Sequence, residues 1–136
     1  MVKKKILLVD DDIKCLSIGK NILSDTYEVY TVLSGEDALF LLKNTTPDLL
    51  VLDVEMPYMD GYELAVKIRE IPRFRKTPIV FLTSNATREH VIKAVKCGGN
   101  DYVLKPADKD IFLGKLGWQL LLREIEGSGY GYLFRT

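Results

Sequence analysis

Short apolar runs recur along the chain, and a stretch with helical spacing follows each of them. The runs at residues 49–52 and 79–82 are continuously apolar rather than alternating. Continuous runs of this length are typical of strands that are covered on both faces of a parallel sheet. The pattern predicts strands at Lys5–Val9, Tyr27–Val32, Asp48–Leu52, Pro78–Leu82 and Asp101–Leu104.

Helix start and stop signals occur between these runs. A Ser, Thr or Asp side chain before a helical segment can accept a hydrogen bond from a free backbone N–H of the first turn. Gly98 and Gly99 are able to end the fourth helix. The pattern predicts helix starts at Ser34 (leading into Ala38–Lys43), at Thr87 and at Asp108, which opens a last helix from about Lys109 to Ile125.

Strands that alternate with helices predict an α/β domain with a parallel, doubly wound sheet and right-handed crossovers. The length of 136 residues fits one domain. Residues 1–126 form the predicted domain, and the glycine-rich residues 127–136 are interpreted as a flexible tail or linker. A basic patch around Pro72 is interpreted as a solvated loop. It consists of Arg69, Arg73, Arg75 and Lys76.

Charge and composition exclude several functions. Lys+Arg and Asp+Glu both count 19, so the chain lacks the basic excess of general nucleic-acid or membrane-surface binders. No apolar stretch approaches the roughly 18 residues of a membrane span, and the N-terminus does not resemble a signal peptide. The cysteines, Cys15 and Cys97, match no metal spacing. We therefore expect a cytoplasmic protein with reduced thiols.

Polar side chains collect at the carboxyl ends of the predicted strands, where open α/β sheets bind their ligands. Asp12 alone is readily explained as a helix cap. The whole set, drawn from four strand ends, is a much sharper signal. It comprises Asp10, Asp11 and Asp12 after strand one, Asp53 after strand three, Thr83 and Ser84 after strand four, and Lys105 after strand five.

These residue types predict a cation site and phosphoryl chemistry. Crowded carboxylates raise each other's pKa unless a cation compensates their charge. Oxygen ligands without a His/Cys cluster favour Mg²⁺ over zinc. A carboxylate neutralised by the metal and by Lys105 is able to attack a phosphoryl group, and Lys105 and the Thr83 hydroxyl would stabilise the phosphoryl oxygens.

Four motifs also occur at matching intervals over about residues 4–125, and together they resemble the signature of bacterial two-component response-regulator receiver domains. They are Asp10-Asp11 after an apolar strand, Asp53 within Leu-Asp-Val-Glu-Met-Pro-Tyr-Met-Asp-Gly, Thr83-Ser84, and Asp101-Tyr102-Val103-Leu104-Lys105-Pro106.

The resemblance implies a flavodoxin-like fold with strand order 2-1-3-4-5, a cis Lys105–Pro106 peptide bond, and transfer of a phosphoryl group to Asp53. The implied donor is a sensor histidine kinase or a phosphotransfer protein. The implied Mg²⁺ ligands are Asp10, Asp11, Asp53 and the backbone carbonyl of Glu55. The other implied roles are phosphoryl binding by Thr83, Ser84 and Lys105, switching by Thr83 and Tyr102, and tuning of dephosphorylation by Glu55 and Asn85.

A binding switch rather than an enzyme is the leading interpretation, with the surface of helix four, strand five and helix five controlling an unknown output partner. Direct contact with nucleic acid or membrane is not expected, and a phosphorylation-dependent homodimer stays open. One alternative is an aspartyl-nucleophile phosphatase, which the absence of a second Asp two residues after Asp53 disfavours. The other is a receiver module cut from a longer hybrid kinase or output enzyme.

Overall fold

The computed structural model describes residues 2–127, so residues 128–136 of the predicted tail lie outside the described part of the chain. Within it, five parallel strands form a sheet in the order β2-β1-β3-β4-β5, and the predicted flavodoxin-like arrangement is confirmed. The strands are β1 (Lys5–Val9), β2 (Glu28–Val32), β3 (Leu49–Asp53), β4 (Ile79–Thr83) and β5 (Asp101–Leu104).

Helices cover both faces of the sheet. The face that carries Ile6 and Leu8 packs against the first and last helices, and the face that carries Leu7 and Val9 packs against the other three. No helix within residues 2–127 combines the length and apolar character needed to cross a bilayer. The helices are α1 (Ile13–Leu23), α2 (Gly35–Leu41), α3 (Gly61–Arg69), α4 (Arg88–Lys96) and α5 (Lys109–Gly127), with a 3-10 helix at Pro72–Phe74.

The boundaries of β2, β3 and β4 differ from the predicted ones by one residue. β2 begins after Tyr27, and β3 and β4 each begin and end one residue later than the sequence pattern indicates. That pattern places Asp53 and Thr83 beyond their strands because both are polar. In the sheet, however, Asp53 pairs with Leu82 and Thr83 pairs with Leu104. Both polar residues are therefore held by the ladder itself.

The predicted helix starts are confirmed. The Thr87 side chain makes no capping hydrogen bond to the backbone of α4, and its Oγ1 lies 2.6 Å from Nδ1 of His90 in that helix. Gly98 closes α4 with a φ of 97°, a conformation that glycine adopts without strain. The other capping side chains accept hydrogen bonds from the first turn: Lys14 N–H donates to Asp12 Oδ1 at 2.8 Å, Asp37 N–H to Ser34 Oγ at 3.1 Å, and Ile111 N–H to Asp108 Oδ1 at 3.0 Å.

The central strands β3 and β4 are buried along their whole length. Each fully buried Leu or Ile side chain in them contributes about 1.5–3 kcal/mol relative to an exposed one. Asp53 and Thr83 end these two strands and are themselves 1% and 4% exposed. The two fully buried strands of the sheet therefore position these two predicted reactive side chains.

The expectation of a solvated basic patch is wrong for Arg69. Its guanidinium donates to the backbone carbonyls of Phe74, Thr77 and Gly98 at 2.5, 2.7 and 2.7 Å, and to Asn100 Oδ1 at 3.0 Å. Burial lowers the pKa of Arg69 from its usual value. Because these acceptors belong to different segments, Arg69 ties the loop before β4 to the turn after α4.

Candidate functional site

The carboxyl ends of β1 and β3 bring the acids together. Val9 pairs with Leu52 in the sheet, so Asp10, just beyond β1, stands beside Asp53, the last residue of β3. Carboxylate oxygens of Asp10, Asp11 and Asp53 all lie within 4.8 Å of one another. Asp10 and Asp53 are each 1% exposed, whereas Asp11 is exposed. The predicted acidic cluster forms, and Asp11 lies on its open side.

Lys105 brings a positive charge to this cluster from the end of β5. Its Nζ lies 3.0 Å from Asp10 Oδ2 and 2.7 Å from Asp53 Oδ1. The Lys105–Pro106 peptide bond that follows is cis, as the resemblance implies. Burial by itself lowers the pKa of Lys105, but the hydrogen bonds and charges of Asp53 and Asp10 outweigh it and raise this pKa above its usual value. Lys105 is therefore a permanent cation at neutral pH.

One ammonium does not compensate the crowded carboxylates. Burial and the negative charge of Asp10 together raise the pKa of Asp53 to about 7, although the hydrogen bond and charge of Lys105 oppose this rise. Apart from the ion pairs with Lys105, Asp10 Oδ2 and Asp53 Oδ1 have no hydrogen-bond partner among residues 2–127. Buried oxygens with unused lone pairs suit a hard divalent cation. The residues present therefore fit Mg²⁺.

Asp12 has a different role from its neighbours. Its carboxylate accepts from Lys14 N–H, which lowers the pKa of Asp12, and it caps α1. Its backbone N–H donates to Asp10 Oδ1 at 3.0 Å and so orients the Asp10 carboxylate. Asp12 is not one of the three clustered acids. The interpretation of Asp12 as a helix cap agrees with the structure.

Gly61 is a residue of the site that sequence reasoning does not single out. Its N–H donates to the carbonyl of Val54 at 3.0 Å, so the start of α3 lies directly against the end of β3. A Cβ at this position would lie 2.3 Å from the backbone oxygen of Asp53. Only glycine permits this approach, which sets the path of the chain beyond Asp53. The available signal was Gly61 itself, the last residue of the motif around Asp53.

Thr83 at the end of β4 and Ser84 just beyond it make hydrogen bonds of their own. Thr83 Oγ1 donates to the carbonyl of Asn85 and accepts from its N–H, both at 3.0 Å. Ser84 Oγ donates to Glu55 Oε1 at 2.5 Å, which links the loop after β3 to the loop after β4. No hydrogen bond from either hydroxyl to Asp53 occurs in this state. The two hydroxyls therefore border the acidic cluster without joining it.

Tyr102, the predicted switch residue, lies on the edge strand β5 and is half-buried. It lines a cavity of about 10 Å³ beside Thr83, Asn85 and Ala94. A cavity of this size is close to the roughly 10–15 Å³ that a single water molecule needs. The tyrosine ring therefore cannot turn into this cavity until the loop between β4 and α4 moves.

The chain matches a known protein family. The sequence model of the response regulator receiver domain matches residues 6–116, which is most of the chain. The chain belongs to this family. Receiver domains are signalling switches of two-component systems that pair with histidine kinases, and they are generally not enzymes. The fold class and the family expected from the sequence are both confirmed.

Individual relatives show how far the similarity of this receiver extends. It is 39% identical over 109 residues to an uncharacterized 14.6 kDa protein of Leptolyngbya boryana, across 79% of this chain and 83% of that protein. It is 31% identical over 106 residues to the phosphate regulon transcriptional regulatory protein PhoB of Rhizobium meliloti, across 78% of this chain and 47% of PhoB. This chain thus spans less than half of PhoB. The chemotaxis protein CheY4 of Vibrio cholerae, 30% identical, superposes with a TM-score of 0.83 over 85% of this chain and 98% of that chain.

Proposed function

We propose that Asp53 accepts a phosphoryl group and that this modification changes the partner surface of the receiver. One observation carries the proposal. The buried Asp53 carboxylate lies 2.7 Å from the Lys105 ammonium and in a cluster with Asp10 and Asp11. A carboxylate so placed is positioned to attack phosphorus while fixed positive charge stabilises the phosphoryl oxygens.

The transfer has a simple balance of bonds. An Asp53 carboxylate oxygen attacks the phosphorus of a phosphohistidine, a P–O bond forms, and the P–N bond breaks. The imidazole leaves with the electron pair, and Asp53 becomes an acyl phosphate. Lys105 donates to a phosphoryl oxygen, and the hydroxyls of Thr83 and Ser84 supply further donors once they leave their present acceptors.

Mg²⁺ would be held by Asp10, Asp11 and Asp53 together with the backbone carbonyl of Glu55. When bound, it neutralises charge on the carboxylates and on the transferring group. Asp10 is prepared for this role because Asp12 N–H and Lys105 Nζ each bind one of its oxygens. Asp11 is exposed at the open side of the site. It is therefore suited to meet the incoming ion.

The proposed partners follow from the family. A sensor histidine kinase or a phosphotransfer protein in the cytoplasm supplies the phosphoryl group to the receiver, residues 1–126. Residues 127–136 are proposed as a tail or linker, of which Gly127 is still the last residue of α5. The output leaves through α4, β5 and α5. PhoB is named as a transcriptional regulator and CheY4 as a chemotaxis protein, so the names of the relatives support more than one kind of output. A homodimer formed on phosphorylation is one form that the output can take.

Intact-mass analysis after incubation with acetyl phosphate and Mg²⁺ tests the proposal. We expect the protein to gain the mass of one phosphoryl group, and we expect much less gain when a chelator removes Mg²⁺. The same protein should show no sustained turnover of a phosphomonoester. Steady release of phosphate from that substrate without a phosphorylated intermediate would instead support the phosphatase alternative.

We expect Asp11→Ala to weaken Mg²⁺ binding by at least about tenfold, the lower end of the range for losing even a supporting group of a metal site. The reason is that Asp11 contributes one of three clustered carboxylates. Calorimetric titration of the unphosphorylated protein with Mg²⁺ measures the change. Asp25→Ala, which removes an exposed acid after α1, is the control. Equal Mg²⁺ affinity in wild type and Asp11→Ala would contradict the role of Asp11.

The lifetime of the phosphorylated state is expected to depend on Glu55 and Asn85. Glu55 accepts from Ser84 Oγ, and Asn85 Oδ1 accepts from Thr87 N–H, so each substitution removes a side-chain hydrogen bond in the loops that follow β3 and β4. A hydrogen bond is worth about 1 kcal/mol, which corresponds to a change of roughly fivefold in the hydrolysis rate. The direction of this change stays open, because Glu55 can either orient or obstruct an attacking water.

Loss of the phosphoryl mass over time measures the lifetime in Glu55→Ala and Asn85→Ala. Glu28→Ala and Asn44→Ala are matched controls, because both residues are exposed and lie near the opposite, amino ends of the strands. The controls should decay at the wild-type rate. The prediction fails when both test variants also decay at the wild-type rate.

A further inference from the structure

The backbone of Tyr102 is held from outside the sheet by two charged side chains. Tyr102 N–H donates to Asp101 Oδ1 at 2.8 Å, and Lys115 Nζ donates to the carbonyl of Tyr102 at 2.6 Å. Lys115 Nζ also lies 3.2 Å from Asp101 Oδ1, which closes an ion pair. These contacts satisfy polar groups along the free edge of β5, where the sheet offers no further strand.

Lys115 also binds the aromatic ring of Tyr102, and backbone protection does not require this contact. Its Nζ lies 4.5 Å from the ring centroid, a cation–π distance. The Tyr102 side chain packs with the residues covered by α2, α3 and α4, whereas α5, which carries Lys115, covers the opposite face. Lys115 therefore reaches the ring around the edge of the sheet and holds it there.

A second ring position on the inner side would require the small cavity there to enlarge. Tyr102 lines the small cavity beside Thr83, and it also lines an outer groove together with Leu104, Ile111 and Lys115. The inner cavity, of about 10 Å³, is too small for the ring in the present state. The outer position is the one that Lys115 stabilises. The Lys115 side chain is 32% exposed, so a substitution can remove its charge without unfolding the core.

We propose that Lys115 is the positioning residue that keeps Tyr102 in its outer orientation in the resting receiver. Removing the positive charge of Lys115 shifts the ring toward the inner orientation without phosphorylation. Phosphorylation of Asp53 then competes against Lys115 for the position of Tyr102. The proposal deepens the proposed function and rests on it, because the change of the α4, β5 and α5 surface is taken to include the switch role of Tyr102 that the family resemblance implies.

The test compares Lys115→Met, Lys115→Gln and Lys115→Arg in the full, unphosphorylated chain. Met and Gln keep a long side chain without the charge, whereas Arg keeps a cation that can donate and stack. NMR of ¹³C-labelled tyrosine rings, with Tyr102 assigned by Tyr102→Phe, reports the ring environment. We expect roughly a threefold to fivefold rise in the inner population for Met and Gln, the factor that a cation–π contact supplies. Arg should behave as wild type.

Beryllofluoride, a stand-in for the phosphoryl group, separates this inference from the proposed function. In one outcome, beryllofluoride moves the Tyr102 ring in wild type, but the ring keeps its resting position in Lys115→Met and Lys115→Gln proteins that unfold at the wild-type temperature. This outcome overturns the role of Lys115 and leaves the switch role of Tyr102 standing. If Met and Gln move the ring but beryllofluoride does not, the role of Lys115 stands and the switch role of Tyr102 fails. A ring that moves in none of these proteins overturns both. If Lys115→Met and Lys115→Gln fail to fold while Lys115→Arg folds, the proposed role of Lys115 is also overturned, because Lys115 would then be a structural residue.

Discussion

We expect Asp53→Asn to abolish phosphorylation by acetyl phosphate and Mg²⁺, while Asp12→Asn is phosphorylated like wild type. Asparagine has nearly the shape of aspartate, but its amide lacks the anionic oxygen that attacks phosphorus. Both acids lie at the same edge of the sheet, and the Asp12 carboxylate is already committed to capping α1. Asparagine caps helices about as well as aspartate. The pair therefore separates nucleophilic chemistry from a general loss of negative charge.

Intact-mass spectrometry measures this difference, and hydroxylamine treatment identifies the adduct because it cleaves an acyl phosphate. Wild type and Asp12→Asn should each gain one phosphoryl group that hydroxylamine removes. An equal gain in Asp53→Asn would place the acceptor elsewhere. Thermal unfolding of all three proteins shows that each is folded, so that the absence of labelling reflects chemistry.

We expect Thr83→Ala to be phosphorylated but to lose the surface change that follows phosphorylation. The Thr83 hydroxyl is held by Asn85 in the resting state, and a phosphoryl oxygen on Asp53 would compete for it. A ligand shifts a conformational equilibrium only through its differential affinity for the two states. A hydrogen bond to a charged group is worth about 1.5–3 kcal/mol, so its loss changes the ratio of the two states by roughly tenfold or more.

Amide NMR shifts across residues 87–118 measure this effect after saturation with beryllofluoride. Wild type and Thr83→Ser, which keeps the hydroxyl, should show large changes in α4, β5 and α5. Thr83→Ala should bind beryllofluoride yet show little change there. If its shifts match those of wild type, then Thr83 does not carry the signal from Asp53 to this surface.

Most of the fold could be predicted because its two central strands are continuous apolar runs, which are typical of a sheet covered on both faces. The errors at β3 and β4 arise where a polar residue still belongs to the ladder. Asp53 and Thr83 have the composition of a loop but the pairing of a strand. Hydrophobic patterning responds to side chains, whereas the sheet is defined by backbone hydrogen bonds. A boundary at a reactive polar residue is therefore where the pattern misleads.

The meeting of Asp10, Asp53 and Lys105 could be predicted from the residues that border each strand, since parallel strands end at one edge. Contacts that depend on how two elements approach could not. The approach of Gly61 to Asp53 and the reach of Lys115 to Tyr102 depend on packing distances. In the sequence, Lys115 resembles an ordinary surface lysine of a helix, and Gly61 belongs to the motif around Asp53 without showing what it contacts. Only tertiary geometry gives them a role.

The bonds of Arg69 have a mechanical consequence for α4. They hold the turn at Gly98 from one end, while Thr87 at the other end makes no side-chain cap, and Ala94 is the buried residue of the helix. The nine residues of α4 thus form a lever roughly 13 Å long with its fulcrum near Gly98. We expect a displacement of the loop beyond Thr83 to reach α4 at its Thr87 end, because Thr87 N–H donates to Asn85 Oδ1 in that loop. The resulting rotation of α4 would displace the Thr87 end most and the Gly98 end least.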